Sequence, residues 1–406
     1  MNDFGLTRAP RAIVFGLGQR KALGRIAAQT GKAALVCTDQ RLSAEPVFAA
    51  MMDDLKAHGV AVRVYDRTLA ELPLSCIDDA VNHASGFGAD MVIGIGGGSC
   101  MDLAKVVALL LAHGGHPRDY YGEFKVPGPV LPILAVPTTA GTGSEVTPVA
   151  VLGDPERAMK VGISSPHLIA HTAICDPELT MTCPPSLTAV SGADALTHAI
   201  EAYTALVRPA TPTLSTDHVF VGKNVLSDAY ALQSIRLLAR YLPDAVKDGS
   251  NAEARVAVMQ GAMLAGLAFG TGGTAAAHAI QYPVGALTHT PHGAGVAQLM
   301  PYVMAFNRSS CPAAVADVAR AMGVIGASGE EELSRAAVTA VADLFNTIGI
   351  PKTLAELGLP ADKLDWTAEQ SMASQRLVKN NPRALDQAAM KTIIDAAFVG
   401  DLARLA

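Results

Sequence analysis

Short apolar runs alternate with amphipathic stretches along the chain as far as Asp176. Arg11–Phe15 (RAIVF), Ala33–Cys37 (AALVC), Val60–Val64 (VAVRV), Met91–Ile95 (MVIGI) and Ile133–Val136 (ILAV) are rich in Val and Ile. Most run directly into Gly, Asp or Thr. Pro46–His58, Cys76–Ala84 and Met101–Ala112 carry helical periodicity between them. Strand and helix in alternation predict a parallel sheet covered on both faces, with ligands at the carboxyl ends of its strands. The pattern changes at the proline- and turn-rich segment Asp176–Ser186. Beyond it helical periodicity dominates, over Ser186–Thr204, Ser227–Tyr241, Asn251–Phe269, Pro312–Met322, Glu330–Ile348 and Asp386–Leu405, with Leu206–Asn224 as an inserted loop. The expected fold is an α/β domain over residues 1–183 followed by an all-helical domain over 184–406.

Val256–Asn307 contains no Asp, Glu, Lys or Arg, yet holds His278, His289 and His292. A solvated helix shows charge on its outer face, so this stretch is expected to be buried at a domain or oligomer interface. A homodimer or higher homo-oligomer follows as an expectation. The whole chain of 406 residues is 50% hydrophobic and 17% charged, a balance that excludes intrinsic disorder. A net charge of −6 offers no basic footprint for nucleic acid. The residues after Met1 lack the apolar core of a leader, and the apolar run Leu103–Ala112, interrupted by Lys105, falls short of the ~20 residues a bilayer span needs. Six scattered cysteines without a CxxC pair read as reduced thiols. No membrane partner and a cytoplasmic location are expected.

Three clusters in the first half suit a dinucleotide. Gly94-Ile-Gly-Gly-Gly-Ser-Cys-Met-Asp102 joins a strand to a helix. Its glycines Gly96, Gly97 and Gly98 let the backbone approach an anion, and the helix start supplies N–H groups and positive dipole. Ser99 and Asp102 are expected to cap the first turn. Asp39, just after the strand Ala33–Cys37, is placed to accept from ribose hydroxyls, and its charge disfavours a 2′-phosphate, so NAD is expected over NADP. The other reading of Asp39 is a cap on the next helix. Pro137-Thr-Thr-Ala-Gly-Thr-Gly-Ser-Glu145 reads as the second wall of the same cleft. By contrast, Gly16-Leu-Gly18 imitates a Rossmann fingerprint, but its third glycine is Gly24 and the spacing fails.

The metal signal lies in the helical half. Asp194 and His198 stand four apart, on one helix face. His278 and His292 lie in the charge-free stretch. A lone buried histidine is usually a satisfied core residue, but one Asp and three His in apolar surroundings suit zinc or ferrous iron. His289 is a spare.

These motifs together resemble the iron-containing (group III) alcohol dehydrogenase family, whose fold is similar to glycerol dehydrogenase and dehydroquinate synthase. The resemblance covers nearly the whole chain and rests on Gly96–Asp102, Pro137–Glu145, Gly192–Glu201 and His278–Gly293. It implies an NAD(P)-dependent oxidoreductase acting on CH–OH groups, with a divalent metal, Fe2+ or Zn2+, held at Asp194, His198, His278 and His292. It also implies that Asp39, Gly97, Gly98, Ser99, Asp102, Thr138, Thr139, Thr142 and Lys160 line the cofactor site. The substrate would be a small alcohol or its aldehyde or ketone. Many members carry a second histidine where this chain has Tyr282, so Tyr282 is a proton relay or a pocket wall. That Tyr and the inserted loop, with Gly222–Asp228, resemble the hydroxyacid–oxoacid transhydrogenase branch, the alternative reading of function, in which the nicotinamide stays tightly held.

Overall fold

The computed structural model describes residues 3–157 and 160–405. The chain divides into two compact units, one of Arg8–Thr182 and one that joins Cys183 onward to the segment before Arg8.

Among the described residues the first unit has nine strands: β1 (Ala12–Phe15), β2 (Ala33–Cys37), β3 (Ala61–Tyr65), β4 (Met91–Gly96), β5 (Gly122–Glu123), β6 (Ile133–Pro137), β7 (Val149–Gly153), β8 (Lys160–Ser164) and β9 (Thr172–Cys175). Six form one sheet in the order β1-β9-β6-β4-β2-β3, and every pairing in it is parallel. Helices α1 (Leu23–Thr30), α2 (Gln40–Ser43), α3 (Pro46–Ala57), α4 (Leu74–Ala84) and α5 (Gly98–His113) alternate with these strands.

The uninterrupted apolar runs follow from burial on both faces. On β2, Ala34 and Val36 pack with Leu23, Phe48, Met51 and Leu55 of α1 and α3. Leu35 and Cys37, pointing the opposite way, pack with Ile77 of α4 and Leu103 and Val107 of α5. Each such large side chain contributes roughly 1.5–3 kcal/mol on burial. The five expected strands are present within a residue or two. The sequence pattern did not reveal β9 or the small sheet β5-β8-β7, whose strands are two to five residues long.

The second unit is helical: α6 (Pro185–Thr204), α7 (Leu214–Asp217), α8 (Val225–Lys247), α9 (Ala252–Gly272), α10 (Ala276–Thr288), α11 (His292–Asn307), α12 (Pro312–Met322), α13 (Glu330–Thr347), α14 (Leu364–Ser371), α15 (Gln375–Asn380) and α16 (Gln387–Val399). The segment before Arg8 belongs here because it is stitched to α8 and α9. Asn224 Oδ1 accepts from Leu6 N–H at 3.1 Å, and Leu6 C=O accepts from the Thr271 hydroxyl at 3.1 Å. The charge-free stretch makes up most of α9 and all of α10 and α11, which are largely buried. Helix α9 is long and apolar enough to cross a membrane by composition alone, yet 83% of its most apolar window is buried inside the fold. It is a core helix packed on α6 and α8.

Candidate active site

Parallel register sets the first cluster, within the α/β unit. Gly96, the last residue of β4, lies opposite Pro137, the last of β6, and Cys37 at the end of β2 lies opposite Gly94. The glycine turn, the threonine-rich segment and Asp39 therefore leave three adjacent strands at the same edge. Gly96 has φ of 149°, and a Cβ there would sit 2.6 Å from Cys100 Sγ. A Cβ on Gly98 would sit 2.7 Å from Thr142 Cγ2, so the glycine turn and the threonine segment close on each other with no room for a side chain.

Helix α5 starts at Gly98, earlier than its sequence suggested, with Gly97 as N-cap and no side-chain cap. The expected capping by Ser99 and Asp102 is therefore not realised. Ser99 falls inside the first turn, and Asp102 accepts from Ser144 Oγ at 2.6 Å and Val151 N–H at 2.9 Å. The uncapped helix start is a place where an anion can be received by backbone N–H groups. Asp39 does cap α2, with Oδ1 2.8 Å from Leu42 N–H, while Oδ2 is 3.9 Å from Cys100 Sγ on the glycine turn. The two sequence readings of Asp39 are thus compatible, one for each oxygen. Thr138 N–H donates to Gly96 C=O at 2.9 Å, and Thr139 Oγ1 lies 3.7 Å from where a Gly97 Cβ would be. Thr142 Oγ1 accepts from Ser144 N–H. Lys160 pairs with Glu71 at 2.5 Å. At the false fingerprint, Gly18 N–H donates to Asp176 Oδ1 at 3.0 Å and Arg20 bonds the other oxygen, so a protein carboxylate fills that turn.

A second cluster lies among helices of the other unit. Helix α6 begins with Pro185 at its first turn and is composed mostly of small and apolar residues. Asp194, His198 and Glu201 recur on one face at helical spacing, all buried. His198 Nε2, His278 Nε2 and His292 Nε2 lie 3.7, 3.8 and 3.9 Å from the same oxygen, Asp194 Oδ1. These separations are too long for hydrogen bonds and suit donor atoms sharing an ion at about 2.1 Å. Donor atoms of Asp194, His278 and His292 all lie within 4.8 Å of one another. Asp194 Oδ1 and His278 Nε2 are buried with no hydrogen-bond partner. Leaving such groups unsatisfied costs roughly 1–3 kcal/mol each, so the residues present fit a divalent cation.

Two features bring the helices together. A Cβ on Gly293 would stand 2.1 Å from Val190 C=O and 3.1 Å from Asp194 Cβ. Only glycine lets the start of α11 lie on α6 and carry His292 to the cluster. The second is Glu201, whose role the sequence reading missed. Its Oε2 is 2.6 Å from His278 Nδ1 and accepts from Ala275 N–H at 2.9 Å, while Oε1 accepts from Ala277 N–H at 2.8 Å. Burial opposes its ionisation, but the His278 ring and these N–H groups hold the carboxyl below its ordinary range. Its signal in the sequence was a carboxylate seven residues after Asp194 in an otherwise apolar helix. The His198 ring stacks on Phe269, centroids 4.2 Å apart, and Tyr282 stacks over His292 at 6.1 Å. His289 is exposed and ends α10 in a left-handed conformation.

Residues 10–177 match the family described as iron-containing alcohol dehydrogenase, and residues 188–398 match the C-terminal region of the same family. Long-chain-alcohol dehydrogenase 1 of Geobacillus thermodenitrificans is 38% identical, over 91% of this chain and 90% of its own. NAD-dependent methanol dehydrogenase of Bacillus methanolicus is 34% identical, over 92% and 94%. The crystal structure of a 1,3-propanediol oxidoreductase superposes with a TM-score of 0.90 at 32% identity, covering 98% of this chain and all of that one. This chain belongs to the iron-containing alcohol dehydrogenase family, metal-dependent oxidoreductases acting on CH–OH groups.

Proposed function

We propose that the chain binds NAD at the glycine turn and a divalent cation, zinc or ferrous iron, at Asp194, His198, His278 and His292, and interconverts a small alcohol with its aldehyde or ketone. The observation that carries this reading is the convergence of three imidazole nitrogens on one buried, unpartnered oxygen of Asp194. The cation supplies Lewis-acid polarisation of the alcohol oxygen, and the nicotinamide supplies the hydride acceptor.

The chain's own residues do the rest. Glu201 accepts from His278 Nδ1–H and so presents the lone pair of Nε2 to the cluster. Phe269 and Tyr282 stack on two of the histidines and wall the cluster on those sides. The Tyr282 phenol is the group of this chain beside His292 able to hold and pass the proton released from an alcohol. Asp39 Oδ2 accepts from ribose hydroxyls and repels a 2′-phosphate, and Gly97, Gly98 and Ser99 receive the pyrophosphate at the start of α5. NAD dependence in the Bacillus methanolicus relative supports this choice of cofactor. The relatives' names span long-chain alcohols, methanol and 1,3-propanediol and so fix no chain length; small alcohols and diols are the class proposed for this chain.

The test is metal analysis of the purified protein together with NADH formation across short alcohols, diols and hydroxy acids. Bound zinc or iron and NAD-linked turnover are expected, and His278→Ala is expected to lose both. A His278→Ala protein that keeps its metal and normal turnover overturns the assignment.

A further inference from the structure

Lys105 lies in the middle of α5 among Val, Ala and Leu side chains and is 0% exposed. An ammonium has three donors, and all are directed at one short segment. Nζ is 2.9 Å from Ser144 Oγ, 3.0 Å from Thr147 C=O and 2.8 Å from Val149 C=O, with Thr147 Oγ1 at 3.3 Å. One turn earlier on the same helix, Asp102 accepts from Ser144 Oγ and Val151 N–H. Asp102 Oδ1 and Lys105 Nζ are 3.9 Å apart. Residues 144–151 are thus bolted along the flank of α5 by two charged side chains. The same helix begins at Gly98, which touches Thr142, two residues before the bolted segment.

A buried charge pair is poor value for stability, since apolar side chains of equal volume commonly serve as well. What it does supply is register: the segment cannot slide along α5 without stripping an ammonium of its acceptors in a dry interior. We propose that Lys105 and Asp102 are positioning residues for the dinucleotide, fixing Thr138–Thr142 over the glycine turn without touching the cofactor. This changes the place of Asp102, which the family resemblance put among the cofactor contacts. The proposal rests on the NAD reading above.

The experiment uses the full-length, metal-loaded protein, with Lys105→Met as the main variant and Ser144→Ala as a milder one that removes a shared partner of both charges. NAD affinity is measured by titration calorimetry, alongside KM for NAD, KM for the alcohol, metal content and Tm. Lys105→Met is expected to weaken NAD binding by about tenfold or more, and Ser144→Ala by less, with metal content and alcohol KM unchanged. A purely structural role would lower Tm and leave NAD affinity of the folded protein at the wild-type value. That result in either variant overturns the proposal, and Ser144→Ala decides alone if Lys105→Met does not fold. Wild-type protein that binds no NAD overturns the cofactor reading itself, a separate outcome.

Discussion

Glu201 and His278 meet across two helices, with Oε2 of the carboxylate 2.6 Å from Nδ1 of the ring. The same carboxylate takes the Ala275 and Ala277 N–H groups and so serves as the cap that α10 lacks in its own sequence, Ala275 being its N-cap residue. One side chain therefore fixes the helix start, the ring orientation and the tautomer that points Nε2 at Asp194. Replacing a partner of this kind typically costs 10–100-fold in metal affinity, roughly. Glu201→Gln is expected to weaken zinc binding within that range in competition with a chromogenic chelator. Unchanged affinity would reduce Glu201 to a helix cap.

Asp39 caps α2 through Oδ1, and the cofactor proposal assigns Oδ2 to the ribose. Asn caps a helix as well as Asp does but carries no charge to repel a 2′-phosphate. Asp39→Asn is accordingly expected to keep its Tm and to raise kcat/KM with NADP relative to NAD. An unaltered cofactor ratio would leave Asp39 with the cap alone.

Buried Glu145 makes stability depend on pH. Burial pushes its carboxyl up to about 7, against the opposing pull of its own backbone N–H and of Lys105. Unfolded, the group ionises near the ordinary 4.5. Between those values the folded protein binds more protons than the unfolded chain, so this group's contribution falls as pH rises from about 4.5 to 7. Glu145→Gln is expected to gain stability relative to wild type on going from pH ~5 to pH ~8. Parallel melting curves across that range would refute it.

Much of this architecture was readable from residue types, for reasons that can be stated. The strands showed because β2, β4 and β6 are buried on both faces and must be apolar throughout. Asp194, His198, His278 and His292 showed because polar side chains stand out in apolar helices. Strand β9 did not, since four residues, Thr172–Cys175, carry too little pattern to declare a strand whose place between β1 and β6 is set by distant pairing. The docking of Leu6 onto Asn224 and Thr271 was hidden for the same reason. Lys105 looked like an interruption in an apolar run because its acceptors lie on another segment.

Gly293 is where backbone meets backbone. With Val190 C=O 2.1 Å from a notional Cβ, neither helix can yield cheaply. Gly293→Ala is expected to destabilise the protein by about 1–3 kcal/mol and to lower metal occupancy, read by melting with and without added zinc. Full occupancy with unchanged Tm would show that α11 has room to move.

The donors converging on Asp194 come from α6 itself and from the consecutive helices α10 and α11, which lie far from α6 along the chain. A cation at that point acts as a removable crosslink, closing long loops whose entropy the polypeptide alone must otherwise restrain. A cation held there would stabilise the helical unit in proportion to the logarithm of its free concentration, so melting of that unit would depend on metal supply.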